Sequence, residues 1–476
     1  MYEESINIVN NAVENVSIEN TLSLESMSID KEKPKNVKKI RLGLEAEMFV
    51  LNEEGDVVNT ADVLLKSVKK NYLDITIKKE AGKNMLELTS FPHVTIQDTV
   101  LNIIRSFEGL LLSAETEGYK IFTLGTYPGV FAPEMRPDKP YKIKEQIFGK
   151  TRFAIAGRCI GFHCHYTLPW GVFDPNTKHI KNLKDSKNKE NMVNSYNLLI
   201  AMDPGLTTFM QSSPFYQGRY MGKDSRMIVY RGGPVFNYPQ GLYAQFQNFG
   251  ALQPYKHTST DLIHLISKKH NMWKDVLKKA DIKFRVFAKH GSILDTTWNP
   301  VKINANGTIE QRGMDMNHPL MITAASMLIK YILKEVQEEF INVVASDIGI
   351  KDPFKMEDNT LYIPPHTYVR QTLQKHAAFD GLENNEVYEY CKRLLKLGTT
   401  LAPKSHKKLL DPFAKMIDDR KTVSDQIMAE AKKLGADPKG PLTKDISREI
   451  ALIHSKRLFK EIVIARKSLE EIQEED

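Results

Sequence analysis

The chain has 476 residues, 41% of them hydrophobic and 26% charged, with a formal net charge of +7. These proportions belong to a globular protein with a large core, built as two or three domains or as one large α/β enzyme with helical additions, and argue against a disordered or membrane chain. No apolar run approaches the ~20 residues of a membrane-spanning helix, and the acidic start Met1–Ser5 lacks the positive flank and apolar stretch of a secretory signal, so the expectation is a cytoplasmic protein without a membrane partner.

Basic residues are spread among acidic ones, and the densest runs, Lys31–Lys39 and Lys178–Lys189, read as solvated segments. This argues against a nucleic-acid partner and leaves a mild attraction for anionic metabolites. The three cysteines, Cys159, Cys164 and Cys391, form no CxxC pair, which argues against disulfide scaffolding and a zinc ribbon.

In chain order, residues 1–36 are rich in Asn, Ser and Glu and predict an N-terminal arm. Lys39–Leu51 and Met85–Ser90 read as strands. Thr95–Gly118 carries Val100, Ile103, Ile104, Phe107, Leu110 and Leu111 at helical spacing, with Thr95 and Asp98 as the cap and Gly118 as the stop. Tyr119–Thr126 predicts a strand halted by Pro128 and Gly129, and Cys159–Leu168 alternates again. A helix is expected over Asn191–Ser212, disturbed at Pro204; Thr308–Met314 is a short strand after the Asn304–Gly307 turn; and Pro319 opens a helix running to about Val344. Beyond Pro364 the chain is mostly helical, ending in an amphipathic helix over Ser447–Gln473. The β segments alternate instead of forming continuous apolar runs. They therefore predict an α+β fold with a mainly antiparallel sheet backed by helices, its other face carrying the chemistry.

Four strand-like segments present metal-capable groups. They are Glu45 and Glu47 in "LGLEAEM", Glu80 and Glu87 around "EAGKNMLELTS", His163 and His165 in "GFHCHYTL", and Glu310 and Arg312 in "GTIEQRGMD". The i, i+2 spacing of three of these pairs aims both side chains to one side of a strand. Singly, each reads as a wet edge or an ion pair; together, several carboxylates in one low-dielectric space need cations to stay ionised. Carboxylates outnumber histidines, which favours Mg²⁺ or Mn²⁺ over Zn²⁺ and suits metals bridging nucleotide phosphates during phosphoryl transfer to an anionic acceptor. Gly218–Ser225 only superficially suggests a P-loop, since three residues separate its glycines, and GxGxxG, HExxH and GxSxG are missing.

The segments "LGLEAEMFVLN", "MLELTS", "GFHCHY", "SSPFYQGR" and "GTIEQRGMDMNHPL" follow one another in the order and rough spacing of the second glutamate–cysteine ligase family, which includes the bacterial ADP-forming carboxylate–amine ligases. The chain resembles that family from about Arg41 to Tyr331. The resemblance implies a curved, mainly antiparallel sheet forming a funnel like the glutamine synthetase catalytic domain. It implies ATP as co-substrate with Mg²⁺ or Mn²⁺, and small-molecule partners. In the implied reaction ATP phosphorylates a carboxylate, an amine attacks the acyl phosphate, and ADP and phosphate leave; glutamate and cysteine are the leading pair. Position by position it implies Glu45, Glu47, Glu87, His163 and Glu310 as metal ligands. Glu80 would be a catalytic group meeting the amine, and Arg312 a contact to the transferring phosphate. Arg219, Arg226 and His165 are implied as substrate or nucleotide contacts. Cys164, where many members have valine, is expected in the core, and Val343–Pro365 is longer than in compact members. Domain limits are expected at 37–345 for the catalytic part and 346–476 for a helical part packed on it, with the last helix able to take part in a homo-oligomer. The alternatives are another acid and amine pair, a zinc hydrolase built on His163 and His165, and a non-catalytic nucleotide-binding descendant.

Overall fold

Alternation of Leu42, Leu44, Ala46 and Met48 with Gly43, Glu45 and Glu47 produces a strand, β1 (Leu42–Leu51), whose apolar set is almost fully buried. The computed structural model describes residues 40–181, 186–437 and 440–472; the arm expected over 1–36 lies outside them. The remaining strands of the main sheet are β2 (Thr76–Lys79), β3 (Met85–Thr89), β4 (Lys120–Phe122), β5 (Gly161–Thr167), β6 (Val301–Asn304) and β7 (Thr308–Asp315). Their order is β6-β7-β5-β1-β3-β2, with β4 paired to the far end of β1. Every pairing in it is antiparallel, so the expected α+β class with a mainly antiparallel sheet holds.

Register decides which side chains become neighbours. Glu45 lies opposite His163, and Glu47 lies opposite Glu87. His165 lies opposite Glu310, which faces Lys302 on its other side, and Lys78 lies opposite Glu87. All of these residues share one face. The ladder between β5 and β7 shifts between Gln311 and Met314, a β-bulge in which one extra residue changes the parity of the strand. Before it, Glu310 and Arg312 lie on the polar face; after it, Met314 opposes Phe162 on the core side and Asp315 opposes Gly161.

The opposite face is covered by helices. The helices that matter for the site are α1 (Ile96–Thr116), α2 (Lys139–Phe148), α3 (Lys187–Phe209), α4 (Ser225–Arg231), α5 (Ser259–Lys279), α6 (Pro319–Glu338), α7 (Asn385–Leu401) and α8 (Lys444–Glu470); α1, α3, α6, α7 and α8 back the sheet and one another, whereas α2 and α5 reach the cavity on its polar face. The cap of α1 forms as expected: the Thr95 hydroxyl accepts from the Asp98 N–H, and Gly118 follows with φ +75°. Pro319 opens α6 at its first turn. No helix among the described residues is long and apolar enough to cross a membrane.

Three sequence expectations are corrected. The strand expected over Tyr119–Thr126 lasts only for β4, because the chain then leaves the sheet to dock on the 212–215 segment. There the Ser212 hydroxyl accepts from Gly125 N–H, and the Thr126 hydroxyl donates to the Phe215 carbonyl. The helix expected over Asn191–Ser212 runs over Lys187–Phe209 and keeps Pro204 inside it. Helix α6 stops at Glu338, well short of Val344: Phe340 takes a left-handed backbone (φ 53°), and Asn342–Ala345 pairs in parallel with Thr360–Ile363. The long 343–365 stretch thus builds a second sheet of three short strands, completed by Met356–Glu357.

Behind the site, Asp203 of α3 is fully buried and accepts two hydrogen bonds from the Arg231 guanidinium of α4, at 2.8 and 3.1 Å. Gln311 of β7 and Gln374 complete its shell at 3.1 and 3.0 Å. Removing one partner would leave the other charge buried and alone. Asp203→Ala should therefore cost about 3–5 kcal/mol of unfolding free energy in urea titration; a loss below ~1 kcal/mol would show that solvent reaches Arg231.

Candidate active site

Polar side chains from the sheet converge on a cavity of about 350 Å³ lined by Glu45, Glu47, Glu80, Glu87, His163, Glu310 and Arg312. Its roof comes from elsewhere: Tyr141 and Lys144 of α2, Trp273 of α5, and Phe287, His290, Asp295 and Trp298 from the segment that leads into β6. The floor is acidic because β1, β3 and β7 each turn their glutamates to the same side.

Each carboxylate meets a different degree of neutralisation. Burial alone would raise Glu45, but hydrogen bonds and charge from His163 and His165 hold it well below the ordinary range. The distances from its Oε2 are 3.1 Å to His163 Nδ1 and 3.4 Å to His165 Nε2. Glu310 is opposed by burial yet held down at about 2 by Lys302 and Arg312. It lies 3.1 Å from Arg312 Nη1 and 3.8 Å from Lys302 Nζ, and accepts at 2.6 Å from the Asn304 amide. Glu47 is raised by burial against the pull of Arg226, while its Oε2 accepts from Gly161 N–H at 2.6 Å. Burial and then the charge of Glu47 push Glu80 up to about 7. Burial and then the charges of Glu45 and Glu80 push Glu87 well above the usual range, despite Lys78 Nζ at 3.0 Å.

Among the described residues, three groups bring ligand-capable atoms within 4.8 Å of one another: Glu45/His165/Glu310, Glu45/Glu87/His163 and Glu47/Glu80/Glu87. The donors are mainly carboxylate oxygens, the set that suits hard divalent cations such as Mg²⁺ or Mn²⁺. Beside Glu47, Glu80 and Glu87, all three raised above their ordinary range, a divalent cation would add counter-charge beyond that of Arg226 and Lys78. His163 and His165 fall in different groups, although both imidazoles face Glu45 Oε2.

Of the ten residues singled out from sequence, seven line the cavity. His165 sits just beneath it, its Nδ1 at 3.0 Å from the Thr308 hydroxyl. Arg226 is buried behind Glu47 and donates to the Gly313 carbonyl at 3.2 Å, so it backs the floor without reaching the cavity. Arg219 is not brought to the site: it lies exposed on a tight hairpin, paired with Tyr216 across a turn at Gly218 (φ +76°). Cys164 is buried opposite Leu44, as expected.

Sequence reasoning missed Lys302, Asn304, Lys144 and the aromatic roof. The first two had a signal: "VKIN" alternates immediately before the Asn304–Gly307 turn, marking it as the hairpin partner of the Glu310 strand. Lys144 and Trp298 had none, since only tertiary packing brings them over the sheet.

The comparisons agree with this architecture. A family model for glutamate-cysteine ligase family 2 (GCS2) matches residues 41–370. The chain belongs to that family. Two curated relatives, from Roseiflexus sp. (strain RS-1) and Roseiflexus castenholzii, carry the provisional name glutamate–cysteine ligase 2. Each is 23% identical over 214 residues, 44% of this chain and 51% of the relative. The chain thus matches about half the length of these GCS2-type relatives. Among solved structures, a bifunctional glutathione synthetase from Pasteurella multocida superposes with a TM-score of 0.55 at 13% identity, covering 92% of this chain and 57% of that one. A glutamate–cysteine ligase from Francisella tularensis, solved in complex with AMP, gives 0.55 at 11% identity, covering 91% and 93%. The fold is that of these ligases.

The raised carboxylates give a pH signature. Glu80 holds its proton up to about 7, against an ordinary value of 4.5, so in metal-free buffer the folded state binds more protons than the unfolded one and loses stability as pH rises through that window. A divalent cation competes with those protons. The rise in Tm caused by Mg²⁺ or Mn²⁺ should accordingly be larger at pH about 8 than at about 6 in thermal-shift assays; an increment independent of pH would show that the cation does not compete with the protons of Glu80 and Glu87.

Proposed function

We propose that the protein is an ATP-dependent carboxylate–amine ligase, with glutamate as the acid and cysteine as the amine. The observation that carries this reading is the union, in one cavity, of a multi-carboxylate floor with Arg312 and Lys302 beside Glu310. The family membership and the AMP-bound structural relative support the nucleotide.

In this reading a substrate carboxylate oxygen attacks the γ-phosphorus of ATP and ADP departs with its electron pair. The amine nitrogen then attacks the acyl carbon, phosphate leaves, and the nitrogen gives up a proton as the amide forms. Mg²⁺ or Mn²⁺, held by Glu45, Glu47, Glu87, His163 and Glu310, would neutralise phosphate charge and act as a Lewis acid. Arg312 stabilises the negative charge of the transferring group, and its orientation is kept by the Glu310 contact. His163 and His165 fix Glu45 in its ionised form. Glu80, on the same cavity wall, receives the proton of the attacking amine.

The test is ADP release across paired acids and amines, with mass detection of the product. ADP formation is expected only with both substrates, and glutamate with cysteine should give the highest kcat/KM. Glu45→Gln and Glu310→Gln should each lower kcat/KM by on the order of 10²–10³-fold. Full activity of either variant sinks the site assignment, and ADP formation with other pairs alone would move the reading to another acid or amine.

A further inference from the structure

The cations that meet at the cavity are not equally matched. Arg312 and Lys302 both answer to Glu310, at 3.1 and 3.8 Å. Lys144 is different. It lines the same cavity, and among the described residues no carboxylate comes within 4.0 Å of its ammonium and no hydrogen-bond acceptor meets it. Its neighbours are aromatic: the Trp298 ring centroid is 4.7 Å from Nζ and that of Tyr141 is 6.0 Å.

Two aromatic faces give such a group part of its stabilisation but no carboxylate in contact. Burial, followed by repulsion from Arg312, lowers the Lys144 pKa to about 8, although the carboxylates of Glu80 and Asp295, too far away to pair with it, pull the other way. A fixed cation without an ion pair in contact, in a cavity where Arg312 and Lys302 are already paired, is placed to receive negative charge. The roof is also rigid: Trp298 stacks on Tyr243 at 6.0 Å and meets Trp273 edge-on at 5.0 Å. Tyr243 in turn meets Phe148 at the end of α2, so the helix carrying Lys144 and the ring it leans on belong to one aromatic cluster. The ammonium is therefore held ready, without a large entropic cost of ordering when an anion arrives.

We propose that Lys144 anchors an oxyanion subsite at the aromatic end of the cavity, holding a carboxylate or phosphate group of a substrate. Its position opposite the acidic floor lets one bound molecule put a metal-seeking group at the floor and a second anionic group at the roof. The proposal relies on the ligase reading only for which substrate supplies the anion.

The test uses the full chain in metal-free buffer at constant ionic strength, with inorganic phosphate, ADP and L-glutamate titrated separately and tryptophan emission recorded. Trp273 and Trp298 line the cavity and report on it, and Trp170 is exposed elsewhere. At least one of the three anions should change the emission saturably. Lys144→Met should raise the Kd of that anion on the order of tenfold or more, and Lys144→Arg should stay within about threefold of wild type. Unchanged Tm of both variants separates this effect from misfolding. Phosphate and ADP responding together assign the subsite to a nucleotide or acyl phosphate; glutamate responding alone assigns it to an amino-acid carboxylate. The proposal is overturned if wild type responds to none of the three, or if Lys144→Met binds as wild type does. The second result would leave ADP formation, and with it the ligase reading, untouched. Conversely, a Lys144-dependent response in a protein that forms no ADP with any pair would sink the ligase reading and keep the subsite.

Discussion

Carboxylates that share a dry cavity stay ionised only when positive charge sits among them, and this constraint orders the structure around the sheet. Glu45 is served by His163 and His165, Glu310 by Arg312 and Lys302, and Glu47 by Arg226 and the Gly161 N–H. Glu87 has the half-exposed Lys78 at the outer strand, and Glu80 has, among the described residues, no ion pair in contact, only the more distant charges of His163 and Lys144. Carboxylates held above their ordinary range are thus concentrated at Glu80 and Glu87, and the cation without a contact ion pair is Lys144.

Holding like charges in place requires a stiff support. The reverse side of β1 supplies it with Leu42, Leu44, Ala46 and Met48, packed into the main core with α1. The Asp203 and Arg231 pair ties α3 to α4 directly behind β7. Glycine at 161 is part of the same arrangement: a Cβ there would collide with the Arg226 guanidinium, so the smallest residue lets that cation lie against the floor while its own N–H holds Glu47.

Much of this was legible from residue patterns. Two-residue periodicity in "LGLEAEM", "GFHCHYTL" and "GTIEQRGMD" identified the strands and the face on which their charged residues lie, because a pleated strand converts sequence parity directly into direction. The fold class followed from the same alternation. What stayed hidden depends on distant packing. Lys144 and Trp298 are separated by more than a hundred residues of sequence and meet only because α2 and the segment before β6 close over the sheet. Arg219 misled for the opposite reason: it lies beside a recognisable motif, but the tight turn at Gly218 carries it to solvent. The end of α6 was missed because Phe340 adopts a backbone conformation that bulky residues seldom choose.

The bulge in β7 also constrains the length of the chain. Its extra residue lets Glu310 and Arg312 occupy the polar face, sends Met314 into the core, and brings Asp315 opposite Gly161. Without it, strict alternation would expose Met314 and bury Asp315 on the apolar side. The spacing between Arg312 and Asp315 is consequently a counted distance. Substitutions within it can be absorbed one side chain at a time, whereas losing or gaining a single residue there would invert the second half of the strand, and chain length at this point is under tighter constraint than chemical identity.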